Sequence, residues 1–310
     1  MIKIYKTVEK ELKQIKRIEK GCWVNVINPT DEEINYLTKK FRIPLEFITD
    51  ALDIDERART EREDNVALVI LRIPKSSEID MEEGYVTMPL GIIIVPDVII
   101  TVCLSSNEIL SDFINSRVKN FTTSKKSRFV LQILHRTALL YLNYLKGINK
   151  RTSIVEKELH QSMRNEELIK LLNIEKCLVY FTTSLKSNEL MMEKLYTARI
   201  LKMYPDDKEL LEDVIIENKQ AIEMANIHSN ILSGMMDAFA SVISNNLNIV
   251  MKFLTSVTII LMIPTLVASI YGMNVPLPLQ HSPYAFIILM LISVGLSLIG
   301  VIIFLKRKIF

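Results

Sequence analysis

The chain has 310 residues, of which 49% are hydrophobic types and 24% charged, with 38 Lys and Arg against 36 Asp and Glu. No charged residue occurs from Phe253 to Leu305, and every acidic residue and all but three basic ones precede that stretch. A nucleic-acid binder needs a net basic surface and a disordered chain lacks this apolar content; a near-neutral charged part joined to an uncharged apolar tail fits neither.

The amino terminus, MIKIYKTVEKELK, is charged throughout and has no apolar core of a signal peptide. The part before the apolar tail is therefore expected in the cytosol. Cys22, Cys103 and Cys177 are odd in number, far apart and form no CxxC pair, which suits a reducing compartment. Residues 1–125 read as an α/β domain. Strand-like runs are Cys22–Ile27, Asn65–Ile73, Gly91–Val95 and Val98–Val102, the last two separated by a Pro96-Asp97 turn. Short helices are expected over 31–42, opened by Thr30 as N-cap, and over 43–52. Residues 126–206 lack proline until Pro205, and apolar residues recur at three and four among charges, predicting two long amphipathic helices.

At Tyr204-Pro205-Asp206-Asp207 the pattern restarts, with Asp206 and Glu209 in a capping arrangement. One helix is then expected over 207–271, on the order of 100 Å long at 1.5 Å per residue. Its last part, Phe253–Tyr271, is uncharged and long enough to span a bilayer, as is Tyr284–Leu305. Residues 272–283 form a short loop with three prolines, and 306–310 a basic end. The basic residues Lys252, Lys306, Arg307 and Lys308 flank the spans while the loop has no Lys or Arg, so both termini are expected in the cytoplasm. The fold class is an α+β membrane protein: a cytosolic α/β domain, a helical stalk continuous with the first span, and a second span.

Chemical signatures of an enzyme are missing from the sequence. It has no GxGxxG or Walker loop, hence no expected nucleotide, and no GxSxG elbow. His135, His160, His228 and His281 are isolated from one another, and His135 and His160, on amphipathic helices, read as ordinary surface or core residues.

The long helix carries a stripe at helical spacing: Asp237, Ser241, Ser244, Asn248, Met251, Thr255, Thr258, Met262, Thr265 and Ser269. Small polar residues favour helix–helix packing, which is one reading. The other is a pore lining, where side-chain oxygens meet water and hydrated ions. Two spans cannot enclose a pore, so the second reading needs several copies in a closed ring. Asp237 would then form a circle of carboxylates, and Leu254 and Met262 apolar circles able to dewet and close.

Tyr271-Gly272-Met273-Asn274, at the end of the first of two C-terminal spans and before a short loop, resembles the signature of the CorA family of magnesium transporters. Residues 248–252 and 264–270 resemble the family's pore helix, and the likeness extends upstream through residues 22–26 and 44–50. The resemblance implies a homopentameric, funnel-shaped divalent-cation channel in the plasma membrane, the bacterial inner membrane, with Mg2+ both transported and regulatory. It implies a selectivity filter at Tyr271, Gly272, Met273 and Asn274. Asp237, Ser241, Ser244, Asn248, Met251, Leu254, Thr258, Met262 and Thr265 would line the pore. Lys252, Lys306, Arg307 and Lys308 would form a basic ring. Asp50 and Asp213 would bind regulatory Mg2+ between subunits. The loop VPLPLQHSPY lacks the acidic residues the family often carries there. Alternatives are a cobalt, nickel or zinc transporter, an exporter, or a non-conducting membrane-tethered metal sensor.

Overall fold

The computed structural model of the chain describes residues 1–9, 11–76, 84–162, 165–198, 200–278 and 282–306. They fall into two compact units, Met1–Gly234 and Met235–Phe310.

In the first unit, seven strands make one sheet: β1 (Ile2–Val8), β2 (Glu11–Ile15), β3 (Trp23–Ile27), β4 (Arg59–Glu63), β5 (Val66–Ser76), β6 (Tyr85–Ile94) and β7 (Ile99–Cys103). Their order is β2-β1-β3-β7-β6-β5-β4. The central β3–β7 pair is parallel and the other neighbours are antiparallel. Successive side chains point to opposite faces, and both faces of the central strands are covered, so those strands are apolar at nearly every position. Trp23, Val69, Leu90 and Ile99 enter one core with residues of α3 (Glu108–Ile114), α4 (Lys126–Ser162), α5 (Asn165–Thr197) and the start of α6 (Pro205–Tyr271). Val24, Ile70, Ile93 and Ile100 enter the other, closed by α1 (Asp31–Phe41) and α2 (Leu45–Thr49).

Helix α1 starts with a reciprocal cap: Thr30 Oγ1 accepts from the Glu33 amide, and Glu33 Oε2 accepts from the Thr30 amide. Helix α6 starts two residues before the expected 207. Pro205 takes its first position, where an amide hydrogen is not needed. Asp207, rather than the Asp206–Glu209 pair, reaches back to accept from the Tyr204 amide at 3.2 Å.

Strands β1, β2 and β4 and helix α3 have no counterpart in the sequence reading. The edge strands β2 and β4 expose Glu11, Lys13, Glu61, Arg62 and Glu63. Charges on an edge block pairing with other chains, and here they also hide the apolar alternation.

Strand β6 runs straight through Pro89, opposite Arg72 of β5. Beyond the last β4 pair, Arg59 with Ile70, the backbone of Arg72 is completed from α5. Asn188 Oδ1 accepts from the Arg72 amide at 2.9 Å, and Asn188 Nδ2 donates to the Arg72 carbonyl at 2.8 Å. Asn188 is buried and acts as one residue of a neighbouring strand. Asn188→Ala is expected to destabilise the first unit by about 1–3 kcal/mol, because the Arg72 amide would be left buried and unpaired. The check is the urea midpoint of fluorescence from Trp23, the single tryptophan, which is fully buried; an unmoved midpoint would contradict this role.

Candidate functional site

The second unit contains the later part of α6 and α7 (Ala285–Lys306). Both helices are long and apolar enough to cross a bilayer. Ile260 and Ser297, which touch, lie about equally far from the connecting loop, so the helices run antiparallel. The face of α6 turned to α7 includes Ser256, Ile260 and Ile263, spaced at four and three. Helix α7 answers with small residues: Ser293 is buried, and a Cβ on Gly300 would stand 3.5 Å from Ile263 Cδ1 and 3.9 Å from Ile260 Cγ1. Small residues let two helices approach where no hydrophobic effect drives them together.

Pro264 lies inside α6 and has no amide hydrogen. The carbonyl four residues earlier, that of Ile260, therefore loses its intrahelical donor. Ser297 Oγ of α7 donates to that carbonyl at 3.5 Å. In hydrocarbon an unpaired carbonyl costs several kcal/mol, so this bond across the hairpin makes the proline tolerable.

The polar stripe lies on the far side. Thr258 and Thr265 follow Ser256 and Ile263 by two residues, about 200° around the helix. Asp237, Ser241, Ser244, Asn248, Met251, Leu254, Thr255, Thr258, Met262, Thr265 and Ser269 are all exposed in the single chain. The stripe is thus not the surface that packs on α7. Ser241 donates to the Asp237 carbonyl at 3.0 Å, Thr258 to that of Leu254 at 2.8 Å and Thr265 to that of Leu261 at 3.2 Å. A hydroxyl that gives its only proton to its own helix offers lone pairs outward. Such a face accepts hydrogen bonds and attracts cations.

At the end of α6, the Gly272 amide donates to the Ala268 carbonyl at 2.9 Å and the Met273 amide to the Ile270 carbonyl at 3.3 Å. Tyr271 Oη reaches across the loop to donate to the Pro278 carbonyl at 3.1 Å. Gly272, Met273 and Asn274 are exposed and Tyr271 half-buried. The last turn of α6 carries no basic residue to offset the negative end of the helix dipole. Of the basic residues, Lys252 on α6 and Lys306 at the end of α7 are exposed; Arg307 and Lys308 lie outside the described residues, as does His281. Among the described residues, no three His, Cys, Asp or Glu side chains are grouped to hold a metal ion.

In the first unit, Asp50 opens a single 3-10 turn, Asp50–Leu52, at the end of α2. Gly91 of β6 makes room for this turn: a Cβ there would stand 2.4 Å from Ala51 Cβ. The Asp50 carboxylate is half-buried and accepts from Arg59 Nη2 at 2.8 Å. Burial opposes the Arg59 charge, but Asp50 and Glu56 outweigh it and raise the pKa of the guanidinium. The next acidic stretch is anchored by Arg72, which donates to the carbonyls of Ile54, Glu56 and Thr87 and to Thr87 Oγ1. Asp213 sits exposed on α6. The single chain gives Asp50 an intrachain partner, Arg59, that the sequence reading did not anticipate; nothing in local spacing marks that pair. Ser297 was missed as well, although Pro264 signalled an orphaned carbonyl.

The family model described as CorA-like Mg2+ transporter protein matches residues 19–307. The chain is 30% identical over 294 residues to the cobalt/magnesium transport protein CorA of Methanocaldococcus jannaschii, covering 91% of this chain and 89% of that relative. It is 26% identical over 296 residues to the magnesium transport protein CorA of Helicobacter pylori, covering 92% and 89%. The solved complete structure of the CorA magnesium transporter from M. jannaschii superposes with a TM-score of 0.83 at 26% identity, covering 98% of this chain and 97% of that one.

Ser297→Ala is expected to lower the thermal midpoint of the detergent-solubilised protein, by the equivalent of about 0.5–2 kcal/mol, because the Ile260 carbonyl loses its donor. Ser297→Thr, which keeps a hydroxyl, should recover most of the loss. Equal midpoints for the alanine variant and the unaltered protein would argue against the bond.

Proposed function

The chain belongs to the family of CorA-like Mg2+ transporter proteins, and on that premise we propose that it is a ring-shaped channel carrying Mg2+ into the cytosol down its electrochemical gradient. It is a transport protein, not an enzyme. The observation that carries the reading is the open face of α6: a line of outward-facing oxygens on the side away from α7. A single α6 would leave the part of that face within the span against lipid, where the hydroxyls of Thr258 and Thr265 gain nothing. Several copies, five by family resemblance, turn it onto a shared wet axis.

Magnesium dehydrates reluctantly, so a fast conduit recognises the hydrated ion. Asn274 and the Gly272 carbonyl at the outer mouth accept hydrogen bonds from its polarised waters without gripping it as a ring of carboxylates would. The loop 272–283 has no acidic residue. The negative ends of the α6 helices, gathered around one axis, supply the attraction instead. Farther along, Thr265, Thr258, Asn248, Ser244 and Ser241 continue the acceptor surface, Met262, Leu254 and Met251 form the apolar narrowing, and Asp237 forms an acidic ring toward the cytosol. Lys252 and Lys306 mark the inner membrane face. A potential negative inside favours entry by about 2.3 kcal/mol per charge per 100 mV, doubled for a divalent ion.

Closure is set by Mg2+ bound between Asp50 of one subunit and Asp213 of the next. The bridged carboxylates hold the ring symmetric and its apolar narrowing shut; when Mg2+ is scarce the acids repel and the ring loosens. Cobalt is the second cargo to test, since the M. jannaschii relative is named for both metals.

The test is Mg2+ influx into proteoliposomes holding the purified chain, with Co2+ and Zn2+ as competitors. Influx is expected from assembled rings, and its absence would favour a tethered, non-conducting sensor. Asn274→Ala should abolish uptake in correctly inserted oligomers; selective uptake surviving that change would remove the filter assignment. Asp213→Ala should conduct but ignore Mg2+ on the cytosolic side, and ordinary feedback in this variant would rule out the gating pair.

A further inference from the structure

The Arg59 guanidinium faces three carboxylates. Its Nη2 donates to Asp50 Oδ2 at 2.8 Å and lies 3.4 Å from Glu61 Oε2, and its Nη1 pairs with Glu56. The Arg59 and Asp50 side chains are only 32% and 30% exposed, so water screens this pair incompletely. The Asp50–Leu52 turn is pressed against Gly91 of β6, and Arg59 begins β4, whose register pairs it with Ile70. Both backbones are therefore held by the sheet, and the carboxylate stays within reach of the guanidinium.

We propose that Arg59 is a resident competitor for the regulatory cation at Asp50, and that it sets how much cytosolic Mg2+ is needed to close the channel. The inference rests on the gating reading of Asp50 given above. A divalent ion, bare or hydrated, seeks the same carboxylate lone pairs that Nη2 occupies, and it meets a fixed positive charge beside them. Binding therefore requires Arg59 to withdraw from Oδ2 or to share the carboxylate. Glu56 and Glu61 give the withdrawn guanidinium other partners, so the exchange is possible without leaving a half-buried charge alone. Arg59 thus lowers the affinity of the site without abolishing it, which shifts closure to higher Mg2+.

The experiment uses the full-length protein in proteoliposomes and measures Mg2+ influx as Mg2+ on the cytosolic-domain side is varied. The Mg2+ dependence of the thermal midpoint of the same full-length protein gives a second readout. Arg59→Gln keeps much of the side-chain length and removes the charge. Its half-closing Mg2+ concentration should fall by at least about threefold, with the thermal response moving to lower Mg2+ in parallel. Arg59→Lys keeps the charge but loses the two-pronged geometry, so it should fall less. In an Asp50→Asn background the Arg59→Gln effect should vanish. If Asp50→Asn is deaf to Mg2+ but both Arg59 variants close at the unaltered concentration or a higher one, the gating site stands and the competitor role is wrong. If Asp50→Asn closes normally, the gating reading itself fails and takes this inference with it. Should Arg59→Gln not assemble, the Arg59→Lys curve decides alone: a fall supports the role, and no change or a rise overturns it.

Discussion

Hydrocarbon does not tolerate an unpaired hydrogen-bonding group, and α6 has two polar demands to meet under that rule. One is internal: Pro264 removes the donor that would have reached the Ile260 carbonyl, and Ser297 of α7 replaces it. The other is external. The hydroxyls of Thr258 and Thr265 turn their protons onto their own helix, leaving acceptors directed outward on the face that α7 does not cover. The first demand is satisfied within the chain and fixes which side of α6 the second helix occupies. The second is left open, and only water or other copies of the chain can close it.

That division of labour also suits the cargo. Magnesium holds its water firmly, so in the proposed channel a passage made of neutral acceptors and thioethers would guide the hydrated ion and release it. Formal negative charge along the exposed stripe of α6 is confined to Asp237, before the apolar stretch begins. In the proposed ring, the uncharged loop after Asn274 would leave the helix ends as the source of attraction at the mouth, a weaker field than a ring of acids and one less prone to trap an ion.

In the first unit the sheet is the rigid reference. Its two apolar faces are both covered, its edges are charged, and Asn188 pairs with the Arg72 backbone beyond the end of β4. Against that frame Gly91 allows the Asp50–Leu52 turn to sit close, and Arg59 at the start of β4 meets the Asp50 carboxylate. For the regulatory role proposed for Asp50, rigid placement would matter, because a mobile carboxylate would follow its arginine and lose its geometry toward a second subunit.

Much of this is legible without coordinates. A run of 53 residues free of charge can only be accommodated where charge is excluded, so the two apolar helices follow from composition. The Thr30 cap and the restart at Pro205 are local chemistry, and the α6 stripe is a matter of helical period. The Tyr271–Asn274 motif carried the family. Other features stayed hidden because they depend on residues far apart in the chain. Periodicity says that a face is polar, but not what covers it; only the hairpin shows that α7 covers the opposite side of α6. Charged edges disguised β2 and β4. The partner of Asp50 is a residue on another element, and the donor for Ile260 lies on another helix. Electrostatic and hydrogen-bond partners are chosen by the folded sheet and hairpin, and no spacing within a single element records that choice.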